Sequence, residues 1–171
     1  NLDIYPGERV LIAGTSGSGK STIGNCINGL IPFAYPGKST GRLLVDGKET
    51  QESSIFELSH VVGTVLQDTD GQFIGLTVGE DIAFAPENDC VPQEEMKQLV
   101  DQVAGLVDIV HHLEYAPHEL SGGQKQRVSL AGVMVEDVKV LLFDEPLANL
   151  DPAAGRTTIE LIDMVHERTG A

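Results

Sequence analysis

Apolar residues along this chain keep two different rhythms, and each rhythm predicts its own kind of element. Short continuous runs come first. Arg9–Ala13, "RVLIA", and Lys139–Pro146, "KVLLFDEP", read as buried parallel strands, the first ending in glycine and the second in acids. His60–Gln67, "HVVGTVLQ", is a third β-rich run, closed by a polar residue. In "GRLLVDGK", Gly41–Lys48, Asp46-Gly47 follows a strand-like run and signals a hairpin edge.

The helical rhythm begins after a glycine-rich turn, where Ile23, Cys26, Ile27 and Leu30 recur at i, i+3, i+4 and i+7 and predict one apolar helix face. Thr77-Val78-Gly79-Glu80 fits a capping box, and Met96, Leu99, Val100, Val103 and Val107 hold helical spacing. From Thr77 to about Val135 the chain reads as mostly helical, and Asp151-Pro152 starts a last helix with an N-cap and a proline at its first position. Strands toward both ends with helices between them predict an α/β fold. Its core lobe spans about 1–74 and 136–171, with an inserted helical subdomain over about 75–135. The chain's 171 residues fit one domain, here expected to be part of a longer protein incomplete at both termini.

Composition narrows the function classes. Hydrophobic residues at 41% and charged residues at 22% describe a globular chain, and no apolar run approaches the roughly 20 residues of a membrane span. A net charge of -15 argues against broad contact with nucleic acid or anionic lipid, which need a Lys/Arg surface. Cys26 and Cys90 stand outside any CxxC pattern and read as reduced thiols. His111 and His112 are adjacent, so on a helix they point about 100° apart and make a poor chelating pair. "DTDGQ", Asp68–Gln72, fails as a calcium loop because its glycine comes too early.

The strongest chemistry lies between the first strand and the first helix. Gly14-Thr15-Ser16-Gly17-Ser18-Gly19-Lys20-Ser21-Thr22 matches G-x-x-x-x-G-K-[ST]. Glycines let the backbone wrap a phosphate chain, so that N–H groups and a positive helix end meet its negative charge. Lys20 is expected to reach the outer phosphates and the Ser21 hydroxyl to hold magnesium. "VLLF" leads directly to Asp144 and Glu145, delivering two carboxylates to the C-terminal end of a strand, where open α/β sheets bind ligands. Asp144 is expected to contact magnesium and Glu145 to act as the general base on water. Gln67, also at a strand end, can reach the magnesium or the attacking water.

"ELSGGQKQR", Glu119–Arg127, holds a second anion receptor: if Ser121 caps the following helix, its hydroxyl and the N–H groups of Gly122 and Gly123 face outward. The helical insertion carries this corner away from the cradle. It therefore suits a ligand held by a second body, as two subunits packed head to tail would supply.

The ordered set of the phosphate loop, Gln67, "LSGGQ", "VLLFDE" and "LANLD" resembles the ATP-binding cassette (ABC) ATPases over nearly the whole chain. That resemblance implies a P-loop NTPase core, a mostly parallel sheet with flanking helices and an antiparallel β edge, with the signature motif carried by the helical subdomain. It implies ATP and Mg2+ as ligands, with Ser121, Gly122, Gly123 and Gln124 on the γ-phosphate of the opposing subunit's ATP. Asp151 would lie in the loop linking the two sites. Asp70–Asn88, "DGQFIGLTVGEDIAFAPEN", is similar to the energy-coupling-factor group, apart from Ala85 where glycine is usual. Members of that group drive uptake of vitamins or of cobalt or nickel ions. The implied partners are a second ABC ATPase domain, a copy or homologue and possibly fused in the same polypeptide, together with a transmembrane coupling subunit and a substrate-binding membrane protein. The implied location is the cytoplasmic face of the membrane.

The family also carries an adenine-stacking aromatic upstream of the cradle and a histidine on a strand after the last helix. Neither Tyr5 nor His166 is placed to replace them, so the span given is expected to be a weak ATPase by itself. The alternatives are a P-loop kinase, which leaves "LSGGQ" unexplained and lacks clustered arginines, and a cassette ATPase acting on nucleic acid or ribosomes, which the acidic balance disfavours. A non-hydrolysing regulatory domain would have lost Lys20, Asp144 or Glu145, and all three are present.

Overall fold

A computed structural model describes residues 2–66, 71–148 and 150–171. Gln67, together with Asp68, Thr69 and Asp70, lies outside the described residues, as does Asn149 of the "LANLD" run. In chain order the elements are α1 (Lys20–Ile27), α2 (Leu30–Phe33), β1 (Leu44–Val45), β2 (Lys48–Glu49), α3 (Ile55–Ser59) and β3 (Val62–Val65). They continue with α4 (Val78–Asn88), α5 (Gln93–Leu106), α6 (Gly122–Met134), β4 (Val140–Phe143) and α7 (Pro152–Thr169). Two 3-10 turns, Val110–His112 and Pro117–Glu119, join α5 to α6.

The parallel pair β3–β4 runs in register from Val62 opposite Val140 to Val65 opposite Phe143. The β1–β2 hairpin forms a separate antiparallel pair, turned by Asp46 and Gly47, both at positive φ (49° and 75°), as a tight primed turn requires. Against β3 lies α6, which buries Val128, Leu130, Ala131 and Val133 together with the polar Gln126 and Ser129. Burial on so many sides makes α6 the central helix rather than an amphipathic cover. Around it, α4 contributes Val78 and Ile82, α5 contributes Val100, Val103 and Ala104, and α7 contributes Val165 to the same continuous core as Val65 of β3. Each fully buried Val, Leu or Ile side chain contributes about 1.5–3 kcal/mol, so this cluster dominates the stability of the region.

Local signals explain where the helices begin. Thr77 Oγ1 accepts from Glu80 N at 3.2 Å while Glu80 Oε2 accepts from Thr77 N at 3.1 Å, so the expected capping box forms. Asp151 caps α7 by accepting from Ala153 N and Ala154 N at 2.8 and 3.0 Å, with Pro152 at the first helical position.

Three expectations are corrected. Arg9–Ala13 is not a strand: Val10, Leu11 and Ile12 are 49%, 90% and 44% exposed, and among the described residues no backbone hydrogen bond ties the run to β3 or β4. Apolar side chains favour burial, but a strand exists only where a neighbour completes its ladder. Here Arg9 pairs with Asp163 of α7 instead. The first helix stops at Ile27, so Leu30 does not share its face: Asn28 caps it and Gly29 takes a left-handed φ of 78°. His111 and His112 lie on a 3-10 turn, not an α-helix.

Candidate functional site

The phosphate loop has an open backbone. Gly17 and Gly19 sit at φ 76° and 97°, where a side chain would be strained, and a Cβ on either would meet nothing within 4 Å. At Gly14 a Cβ would lie 2.6 Å from Ser18 Oγ, a terminal atom that rotation about χ1 can carry away. Gly19 caps α1 without any side-chain hydrogen bond, so no side chain closes the cap of the helix that begins with Lys20, Ser21 and Thr22. The Lys20 ammonium donates to the Gly14 and Thr15 carbonyls, both at 3.2 Å, and lies 3.8 Å from Glu145 Oε1. Cradle and acid, 125 positions apart by their numbers, are thus brought together.

Glu145 reaches this position through the turn that follows β4. Asp144 N donates to Val65 O at 3.0 Å, extending the β3–β4 ladder by one residue. Glu145 then adopts φ 50°, uncommon for a side chain of this kind, and its carbonyl accepts from Ala148 N at 2.9 Å. The reversal lifts Glu145 out of the strand direction and exposes it, while Asp144 stays half-buried.

Ser121 caps α6, as its sequence context predicts. Its Oγ accepts from Gln124 N at 3.4 Å, and Gln124 Oε1 accepts from Ser121 N at 2.8 Å. Because the hydroxyl serves as an acceptor here, its proton is left to donate elsewhere. At Gly122 and Gly123 a Cβ would meet nothing within 4 Å, so no described neighbour in this chain requires glycine there. Among the described residues no hydrogen bond or ion pair joins Ser121–Gln124 to the cradle. Lys20 and Glu145 converge, and the Ser121 corner stays apart. Asp151 spends its carboxylate on the α7 cap.

Sequence reasoning missed three features. Gln126, only 6% exposed, donates through Nε2 to the Pro146 carbonyl and accepts through Oε1 from the Thr158 hydroxyl at 2.9 Å. Its signal was legible as a polar residue on the stripe Gln126, Leu130, Val133. His112 Nε2 lies 2.9 Å from Gln124 Nε2, bracing the amide that caps Ser121; nothing in the spacing announced it. Finally, His60 Nε2 meets Asp89 Oδ1 at 3.0 Å and joins the residues before β3 to the end of α4. The Phe56 carbonyl, and then Asp89, hold the His60 pKa above its ordinary value, while burial raises that of nearby Glu136.

A family model described as ABC transporter matches residues 1–148. The chain belongs to the ABC transporter ATP-binding family. The family is one of ATPases and has the P-loop NTPase fold. A Clostridium perfringens protein, provisionally named as an ABC transporter ATP-binding protein, is 65% identical over 98% of this chain. An Enterococcus faecalis protein of similar name is 61% identical over 99%. The chain spans 29% and 30% of the length of these two relatives. Among solved structures, cbiO1 from Clostridium perfringens, described as part of the ABC transporter complex cbiONQ, matches with a TM-score of 0.87 and 36% identity. That match covers 99% of this chain and 66% of the other. No described helix is long and apolar enough to cross a membrane.

Proposed function

We propose that this chain is the ATP-binding and hydrolysing unit of an energy-coupling-factor type importer, powering uptake of a vitamin or a transition-metal ion. The observation that carries the reading is the convergence of Lys20 with Glu145, an ammonium on the phosphate loop 3.8 Å from the carboxylate after β4. The likeness to cbiO1, itself part of a transporter complex, supports the importer class. Membership of the ABC family sets aside the kinase alternative.

In this reading the N–H groups of Gly14–Thr22 and the Lys20 ammonium bind the phosphates of ATP. The loop fits that role because its backbone is exposed and free of Cβ obstruction at Gly17 and Gly19. Ser21 and Asp144, with Gln67, would hold magnesium, which when bound neutralises charge on the transferring phosphoryl group. Glu145 orients the attacking water and takes its proton.

Ser121, Gly122, Gly123 and Gln124 meet ATP held by a second ABC domain, and Asp151 lies at the interface between the two. The unobstructed glycines at the start of α6 support such an approach. ATP closes the pair because both bodies hold it, and hydrolysis releases them. We assign the core lobe to about 1–74 and 136–171 and the helical subdomain to about 75–135. Between them a groove of about 320 Å³ runs past Ile55, Val62, Ile74, Phe84 and Val133. Ile74, Leu76 and Phe84 are exposed beside or within it, a surface suited to a membrane subunit at the cytoplasmic face.

The test is Glu145→Gln in the full-length protein assembled with its membrane partners. It is expected to bind ATP, stall as a closed pair and stop transport; turnover at the wild-type rate would refute Glu145 as the base. Uptake assays with vitamins, cobalt and nickel decide the substrate class.

A further inference from the structure

We propose that Gln126 is a positioning residue for hydrolysis, its buried carboxamide holding the turn that presents Glu145 and tying that turn to the helix that begins at the Ser121 corner. The inference rests on the reading of Glu145 as the general base.

A buried amide is costly unless both its ends are bonded, and an apolar side chain would fill the same place more cheaply. Gln126 is bonded at both ends. Its surroundings, Val65, Leu130, Phe143 and Ile162, are apolar, so the carboxamide is not there to meet solvent. Its donor goes to the carbonyl of Pro146, the residue directly after Glu145. Its acceptor receives the hydroxyl of Thr158 on α7, 4% exposed.

The strain at Glu145, φ 50°, is of the kind that persists only where surrounding contacts over-determine it. Backbone bonds from Asp144 N to Val65 O and from Ala148 N to Glu145 O frame the turn. Gln126 adds a side-chain grip on the turn's backbone, at Pro146 O. It also sits five residues after Ser121 on the same rigid helix. Loss of this grip frees the Glu145 peptide to relax, moving the carboxylate away from its water without touching the cradle that binds ATP.

Gln126→Glu tests this with a built-in control. A protonated carboxyl reproduces the amide, donating to Pro146 O and accepting from Thr158. Once ionised it has no proton to donate, and an oxygen faces the Pro146 carbonyl. Steady-state ATP hydrolysis by the full-length protein in its transporter complex would be measured from about pH 6 to about pH 9, alongside Gln126→Leu and Glu145→Gln. Burial shifts the new carboxyl upward into this range. Gln126→Glu is expected to keep kcat near wild type at the acid end and to fall about tenfold or more below it at the alkaline end. That loss corresponds to one buried hydrogen bond. KM for ATP should stay within about twofold throughout.

Gln126→Leu should lower kcat at every pH, again with KM unchanged. A Gln126→Glu profile parallel to wild type, a loss confined to KM, a Gln126→Leu variant with full kcat, or alkaline unfolding of Gln126→Glu seen by circular dichroism would each overturn the proposal. The two failures are separable. Turnover surviving in Glu145→Gln sinks the reading of the base, whereas an inactive Glu145→Gln with a flat Gln126→Glu profile sinks only the positioning role.

Discussion

Gly63 offers the sharpest test of how tightly α6 is seated. It lies in β3, facing α6, and a Cβ built on it would stand 2.3 Å from Val133 Cγ1, 3.2 Å from Val138 Cγ2 and 3.5 Å from Leu141 Cδ2. Carbon atoms pack best at about 3.5–4.0 Å, so Gly63→Ala must open a gap of about 1.2–1.7 Å against Val133. Two terms oppose each other. Removing glycine from the unfolded chain stabilises by about 0.4–1 kcal/mol where the native backbone tolerates alanine, and Gly63 is not at positive φ. Against this, Val133 is β-branched on a helix, with one strongly preferred rotamer, so its methyl cannot swing aside cheaply. The remaining escape is to move α6, which packs against α4, α5, α7 and β3 together. Overpacking of this kind costs about 1–3 kcal/mol; with no soft escape the upper half of that range applies, and the clash wins by about 1–2.5 kcal/mol.

The assay is urea unfolding of the full-length protein, followed by circular dichroism, on Gly63→Ala, Val133→Ala and the double variant. Val133 is 7% exposed, and truncating it should by itself cost about 1–3 kcal/mol. In the double variant the alanine methyl at position 63 occupies space that the valine vacated. The combined loss should therefore fall short of the sum by at least about 1 kcal/mol. A neutral Gly63→Ala, or a double variant additive to within about 0.5 kcal/mol, would refute the close seating of α6 on β3.

Lys20→Ala removes the ammonium that reaches from the cradle to Glu145; ATPase turnover should fall by about 10²-fold or more, read by phosphate release. Thr77→Ala deletes the acceptor of a complete capping box and should lower stability by about 0.5–2 kcal/mol in the same urea assay. For the pH dependence, His60 and Glu136 both have raised pKa values, so the folded protein holds their protons more tightly than the unfolded chain. The Glu136 part of the stability is fully present below its unfolded value of 4.5 and declines as pH rises through its folded value. The His60 part is present below 6.5 and is lost as pH rises through its own raised value. Urea midpoints should decline from acid toward neutral and mildly alkaline pH, and His60→Gln should remove the upper part of that decline.

What the sequence disclosed, and what it hid, follows from the range of each interaction. Capping residues act within one turn, so Thr77, Ser121 and Asp151 could be placed as helix starts from their neighbours alone. The Asp46-Gly47 turn was legible for the same reason. Strand pairing acts across the chain. "RVLIA" and "VLLF" look alike as text, yet only the second finds a partner, Val62–Val65, and becomes a strand. Gly29 ended the first helix where an apolar spacing continued through it, because a left-handed glycine outweighs one more turn of periodicity. The phosphate loop and the two acids were readable as types. That they serve one site was expected from the motifs; the particular contact of Lys20 with Glu145 was not readable, since it depends on the turn at Glu145.

Gln126 shows how a buried polar residue can be read too blandly. In a run rich in glycine and charge, it passes for surface. Placed on the helix, it shares a stripe with Leu130 and Val133, and a polar group there must have partners on other elements. Those partners are the acid turn and α7, so α6 makes three kinds of contact along its 13 residues. Its first turn presents Ser121 and open glycines outward, its middle grips the carbonyl of Pro146 next to Glu145, and its last turn rests Val133 on Gly63 of β3. A helix of this length spans about 20 Å and moves as one body. Pressure on its exposed end is therefore passed to every element α6 packs against, the Glu145 turn held by Gln126 and the strand beneath Val133 among them. A ligand completed by a second body at Ser121 would bear on the same helix that, through Gln126, holds the turn carrying Glu145, which gives a physical reason for Ser121 and Gln126 to share one helix.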